Sequence, residues 1–205
     1  MRLRLVLATL FLAGTGQLFP QTAPAGIGGA TQFFVGGGVS LYDANFYGNY
    51  LMEGATAWFD VYPNLGPAFL HGFGIEGEGR DICFGRPSTQ PSNLAEETGG
   101  GGVIYSWRHF HNFSPYAKFE WEHANIDFHV GVPDYNHDTR ELHTGGAGVD
   151  YRISRYIWLR AGYEQQYWQW LFHNPKVSGH TGLLLKPSGV TIGASYDVHF
   201  RHQHY

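Results

Sequence analysis

Gly72-Phe-Gly-Ile-Glu-Gly77 has the G-x-G-x-x-G spacing with which backbone amides at the start of a helix hold a pyrophosphate. That chemistry needs the glycines to join a strand to a helix. Here polar and apolar residues alternate through the motif and no helical period follows, so no dinucleotide cofactor is expected. Gly99 to Gly102 is a second glycine run, and it lacks the Lys-Ser/Thr pair of a phosphate-binding loop. Asp134-Tyr-Asn-His-Asp138 begins as a calcium loop does, with oxygen ligands at alternate positions. Thr139 then stands where that loop needs glycine and Gly145 where it needs glutamate, which points to a solvated loop. The 12 histidines, among them His109, His111, His199, His202 and His204, are scattered over strand ends and a tail without a supporting carboxylate or thiolate set. His143 beside Thr144 is the remaining candidate pair for nucleophilic chemistry, but adjacent residues on a strand point to opposite faces. No catalytic residue, cofactor or metal is predicted.

Composition narrows the setting. The chain has 205 residues, a net charge of −4, 29 glycines, 17% aromatic residues and only 15% charged ones. Soluble domains usually carry about 25% charge, so much of the outer surface is expected to face something other than water. The lack of a basic block argues against nucleic acid as a partner. Cys83 is a lone cysteine, which excludes an internal disulfide. Arg2 and Arg4, the apolar run Leu5 to Ala13 and the sequence Ala23-Pro-Ala25 stand in the order of a secretory leader. Residues 1–25 are therefore read as a signal peptide and 26–205 as one mature domain. No later apolar run reaches the roughly 20 residues of a spanning helix, whereas a spanning strand needs only about 9 to 11 with one apolar face. The slightly negative mean hydropathy is compatible with the second case.

Alternation at period two runs through almost the whole mature chain. A first strand from Phe33 to Tyr42 puts Phe33, Val35, Val39 and Leu41 opposite Gly36, Gly38 and Ser40. A second, about Tyr50 to Tyr62, groups Leu51, Ala55, Ala57, Phe59 and Val61, and Glu53 breaks the pattern. A third runs from about Phe69 to Asp81, a fourth from about Thr98 to His109, and a fifth from Pro115 to His123, where Ala117, Phe119 and Trp121 oppose Tyr116, Lys118, Glu120 and Glu122. The sixth sets Ala147, Val149, Tyr151 and Ile153 against Gly148, Asp150 and Arg152. In the seventh, Ile157, Leu159, Ala161 and Tyr163 oppose Arg160, Gly162 and Glu164. The connections include long polar ones at Ile82 to Glu97 and Asn125 to Arg140, and short ones at Pro63 to Ala68 and Ser154 to Tyr156. Trp58, Tyr62, Trp107, Tyr151, Tyr156, Trp158 and the cluster from Tyr163 to Trp170 lie toward strand ends, where girdles of aromatic rings meet lipid headgroups.

The last strand, Gly189 to Phe200, has one apolar face, Val190, Ile192, Ala194, Tyr196, Val198 and Phe200, and one polar face, Thr191, Gly193, Ser195, Asp197 and His199. A final strand avoids an open edge by closing onto the first. Thr191, Gly193, Tyr196, Val198 and Phe200 stand at offsets that resemble the closing-strand signal of bacterial outer-membrane barrels. The tail Arg201 to Tyr205 departs from that pattern, so either Phe200 or Tyr205 supplies its terminal aromatic. With alternating long and short connections over eight strands, the whole mature chain resembles the small eight-stranded outer-membrane barrels, such as the transmembrane domain of outer-membrane protein A and the opacity proteins. The resemblance implies an all-β, eight-stranded antiparallel up-and-down transmembrane β-barrel in the outer membrane of a diderm bacterium. It also implies lipid and, during biogenesis, the barrel-assembly machinery as partners.

Eight strands leave an interior just wide enough for side chains to fill it. The inward phase places Asp60, Glu76, Glu78, Glu120, Glu122, Asp150, Glu164 and Asp197 there with Arg80, Arg108, Lys118, Arg152 and Arg160. Ions enclosed so closely must pair, because an unpaired buried ion costs several kcal/mol. A plugged, ion-paired lumen is the expectation, in a non-enzymatic protein with a structural role or one in surface interaction through its exposed loops. Two other readings stay open: a narrow ion-conducting path through the network, and a soluble exported lipocalin-like barrel that binds a ligand, in which the wet face is reversed.

Overall fold

The structure, a computed structural model, describes residues 31–44, 51–63, 70–84, 94–108, 112–128, 137–171 and 183–198. Its strands are β1 (Gln32–Asp43), β2 (Leu51–Tyr62), β3 (Phe73–Phe84), β4 (Leu94–Ser106), β5 (Phe113–Phe128), β6 (His137–Arg152), β7 (Ile157–Leu171), the short β8 (Leu183–Leu185) and β9 (Ser188–Val198). Consecutive strands from β1 to β7 pair antiparallel, and β9 pairs with β7 on one side and with β1 on the other. The sheet therefore closes into an all-β, eight-stranded up-and-down transmembrane barrel of β1 to β7 and β9. β8 prolongs β9 beside the far end of β7, and Pro187, which has no N–H to give a ladder, stands at the break. Its carbonyl accepts from Gln166 N at 2.8 Å.

Closure sets the two faces. Gly38 is held between Thr56 of β2 and Gly193 of β9, and Val39 between Ala55 and Ile192. Val39 is 65% exposed, Ile192 60% and Phe119 40%, whereas Glu76 and Glu120 are fully buried. Apolar side chains thus form the outer belt and ionised ones line the axis, the phase that a bilayer-spanning barrel requires. Among the described residues, no helix is long and apolar enough to cross a membrane.

Toward the end where the longer strands project, the phase of polarity reverses. Met52, Ile82, Leu94, Ala124, Ile126, Leu142 and Trp168 point inward and are buried, while Glu53, Asp81, Glu97, His123, Asn125 and Glu141 point outward and are exposed. There the barrel wall has left hydrocarbon, so the outer face turns polar and the inner face takes the apolar core. This reversal moves several predicted boundaries. β3 begins at Phe73 and reaches Phe84, not Phe69 to Asp81; β4 begins at Leu94, not Thr98. Ile82 to Phe84 and Leu94 to Glu97 are paired strand, with Phe84 opposite Leu94, rather than parts of one long loop. In the same way Asn125 pairs with Thr139 inside the stretch read as a connection. The connection after β2 extends to Gly72 and is longer than predicted.

The aromatic girdle also needs correction. Trp107, Tyr151, Tyr156 and Tyr163 are exposed on the outside as expected, and Tyr156 stacks on Tyr196 at 5.9 Å. Trp58, Tyr62 and Trp168 are buried inside, and Trp158 packs against an inner cluster. Each shares the inward parity of its strand with an ionised residue, Trp58 and Tyr62 with Asp60, and Trp158 and Trp168 with Arg160. Inner glycines make room for these rings. A Cβ at Gly36 would lie 2.4 Å from the Trp58 indole and 2.7 Å from Ser195 Oγ. Gly36→Leu is expected to lower stability by about 1–3 kcal/mol through overpacking. Gly145→Ala, whose added Cβ meets nothing within 4 Å, should leave the urea midpoint of the refolded barrel unchanged.

Candidate functional site

The interior is built in three layers. At the end where β1 begins and β9 finishes, called the turn end here, Phe34, Tyr62, Ile104 and Tyr116 form a buried apolar cluster with Trp158 against it. At the opposite, loop end, Tyr42, Ala44, Met52, Ile82, Leu94, Ala124, Ile126, Leu142 and Trp168 form a second. Between them lies the charged layer, which the wall isolates from solvent at the level where the outside is apolar.

Three cations organise that layer. Lys118 on β5 extends its ammonium among four carboxylates, Glu78 at 2.5 Å, Glu76 at 2.7 Å, Glu164 at 2.8 Å and Glu120 at 2.9 Å. Arg160 on β7 spreads its guanidinium over Asp60 at 2.6 Å, Glu76 at 2.7 Å and Asp150 at 2.9 Å, and lies 4.7 Å from the Tyr116 ring and 5.0 Å from that of Trp58. Arg80 on β3 pairs with Glu78 and Glu164 and sits 4.4 Å from the ring of Tyr42, whose hydroxyl donates to Glu164 at 2.5 Å. Glu76, Glu78 and Glu164 are each shared by two cations, so the three cations form one connected network across β2, β3, β5, β6 and β7. Pairs enclosed in this way gain their Coulomb energy at low dielectric, and the shared carboxylates satisfy several lone pairs at once.

The geometry places the sequence candidates as follows. Glu76, Glu78, Arg80, Lys118, Glu120, Asp150, Arg160 and Glu164 meet in the network, and Asp60 with them. Glu122 is buried, but its partner is the hydroxyl of Thr144 and, among the described residues, no cation pairs with it. Arg108 and Arg152 point inward yet stand at the turn end, out of reach of the carboxylates. Arg108 donates to Gln32 and stacks 3.9 Å over Tyr62; Arg152 donates to the Ser154 carbonyl at 3.1 Å. Both share the inward parity of their strands, but neither pairs with a carboxylate of the network. Glu96, read as part of a loop, is fully buried and accepts from Gln166 at 2.7 Å across the lumen. Its signal was the alternation Leu94, Glu96, Thr98, in phase with the strand that follows.

The weaker motifs resolve into wall. Gly74 and Gly77 are laddered strand residues opposite Ile104 and Gly101, and Gly99 to Gly102 pair on both sides. His143 points outward between Phe119 at 5.9 Å and Trp121 at 5.4 Å, while Thr144 points inward to Glu122. Asp138 is part of β6 and pairs with Arg140 at 3.1 Å. Oxygens of Glu76, Glu78 and Glu120 lie within 4.8 Å of one another, as ligands of a metal would, but Lys118 already contacts all three. The positive charge at that point belongs to the chain itself. Of the closing-strand residues, Thr191, Gly193, Tyr196 and Val198 are in β9, with Thr191 bonded through Ser40 to Thr56 at 2.7 and 2.5 Å. Phe200, the tail, the leader 1–25, Asp134, His109, His111, His199, His202 and His204 lie outside the described residues.

No protein-family model matches the sequence, and no curated protein matches it either. Solved structures do share the architecture. Neisserial surface protein A is 14% identical over 82% of this chain and 98% of its own, with a TM-score of 0.54. The outer membrane protein OprG of Pseudomonas aeruginosa is 12% identical over 84% and 98%, at 0.52. Ail, the attachment invasion locus protein of Yersinia pestis, is 16% identical over 84% and 100%, at 0.50. At such identities the likeness is one of fold, and that fold is the small outer-membrane β-barrel.

Proposed function

We propose that this outer-membrane barrel is a non-enzymatic, non-conducting envelope protein, whose closed wall holds its extracellular loops at the cell surface for structural or surface-interaction roles. Residues 1–25 would direct export and residues 26–205 form the mature barrel. Thr191, Gly193, Tyr196, Val198 and Phe200 would be read by the barrel-assembly machinery, and lipid would cover the apolar belt. An extracellular or envelope partner would meet the loops, because loops on a rigid scaffold carry variable contacts at little cost to the wall.

The observation that carries this reading is the order of the layers: an ion-paired belt between two apolar clusters inside, and an apolar belt outside. An ion crossing the lumen would have to displace the Arg80, Lys118 and Arg160 pairs and then dehydrate twice, once at each cluster. A ligand-binding soluble barrel needs the opposite arrangement, an apolar hollow and a wet exterior. Purified protein in a planar bilayer is therefore expected to give no stepwise current above the lipid baseline at moderate voltage. Reproducible unitary steps from the wild type would replace this reading with the narrow conducting barrel. Extraction from membranes only by detergent tests the location separately.

A further inference from the structure

At the turn end, beside the first apolar cluster, lies a small pocket of about 10 Å³ bordered by Asp60, Ser106, Arg108, Ser114, Trp158 and Ser195. Two of the residues that border it carry a buried side-chain atom with no hydrogen-bond partner among the described residues. Asp60 is 2% exposed; its Oδ2 takes Arg160, its carboxyl also meets that of Glu76, and among the described residues no N–H or hydroxyl donates to its Oδ1. The indole N–H of Trp158 is buried and, among the described residues, donates to no atom. The other inward indoles are matched, Trp58 to Ser195 Oγ at 3.0 Å and Trp168 to Gln166 Oε1 at 2.9 Å.

From this pairing we infer that the cavity is a binding site for one water molecule, which accepts from Trp158 Nε1 and donates to Asp60 Oδ1, with a serine hydroxyl as third partner. A space of about 10–15 Å³ holds one water, which needs two to four polar partners. The chemistry excludes ions: Arg108, Arg160 and the indole donor oppose a cation, and Asp60 with Asp150 opposes an anion. A neutral molecule that both donates and accepts fits, and the size limits it to water. The site stands on the interior geometry alone, whether or not current flows. Its consequence is that the ion-paired layer holds one isolated water on its turn-end side, while the nine-residue apolar cluster closes the loop end.

The test is rotating-frame cross-relaxation between water and the indole protons of the ¹⁵N-tryptophan-labelled full chain in lipid nanodiscs, with single Trp→Phe variants assigning the peaks. A cross-peak from a bound water, of sign opposite to chemical exchange, is expected at Trp158 and not at Trp58 or Trp168. Ser114→Val, which puts methyl groups into the cavity, should abolish it while the Trp158 indole peak itself persists. A Trp158 indole without a water peak, one showing only exchange, or a peak unaffected by a folded Ser114→Val variant would each overturn the site. If Ser114→Val does not fold, the comparison of the three indoles in the wild type decides.

Discussion

A Lys118→Met variant is expected to lose about 3–5 kcal/mol of folding free energy, the cost of removing one partner from a buried ionic cluster. The size follows from what is left behind. Glu76, Glu78, Glu120 and Glu164 all contact the ammonium within 2.9 Å; without it Glu76 keeps Arg160, Glu78 and Glu164 share Arg80, and Glu120 has no cationic partner among the described residues. Methionine fills the volume of the stem but leaves four carboxyl groups converging on a point that no longer holds a cation. Urea unfolding of the refolded barrel in lipid vesicles, read by the gel mobility of its folded form, would show a large drop in midpoint or no folded band. The same change combined with Glu120→Gln should regain part of the loss, because among the described residues Glu120 has no other cationic partner, whereas Glu76 keeps Arg160 and Glu78 and Glu164 keep Arg80. Lys118→Arg should be intermediate: charge is kept, but a planar fork does not reproduce a compact ammonium held from four directions. A wild-type midpoint for Lys118→Met would show that the ammonium is not the hub of the layer.

The middle of the barrel was legible in the sequence for a physical reason that fails at its ends. Where hydrocarbon surrounds the wall, each strand must alternate apolar out and polar in, so Phe119 beside Glu120 and Ile192 beside Thr191 declare their faces without ambiguity. Beyond the belt the outer face meets water, and Ile126 between Asn125 and Asp127 has the reversed pattern of a soluble strand. Reading polar density as loop truncated β4 and β5 and lost Glu96 with its Gln166 partner. Trp58 shows the complementary error. Its parity with Asp60 placed it inside, but the general habit of tryptophan at membrane interfaces placed it outside, and parity proved the stronger guide. Arg108 and Arg152 show the limit of parity itself. Period two reports the face of a residue and not its depth, and whether two inward charges meet depends on the stagger between strands, which only the register of the closed sheet supplies.

Arginine placed at Ile192 should cost about 2–4 kcal/mol in a bilayer, the range for a basic side chain at mid-depth on the lipid face of a barrel. Ile192 lies between Val39 and Ala161 on the neighbouring strands and between Val190 and Ala194 on its own, so the nearest outward positions give a guanidinium nothing to pair with. At Glu97, on the outer face where acidic residues already stand, the same substitution should cost about 0–1 kcal/mol, since arginine there reaches headgroups or water. Reversible urea titration in vesicles of defined chain length would measure both, and outward positions along β4 from Glu97 to Val103 would trace the profile. The sign of the difference carries the weight. On a soluble barrel a solvent-facing Ile192→Arg change is neutral or improves solubility, and the two positions should not differ. A penalty confined to the belt, growing toward Ile192 and vanishing at Glu97, requires hydrocarbon on the outside of the barrel wall.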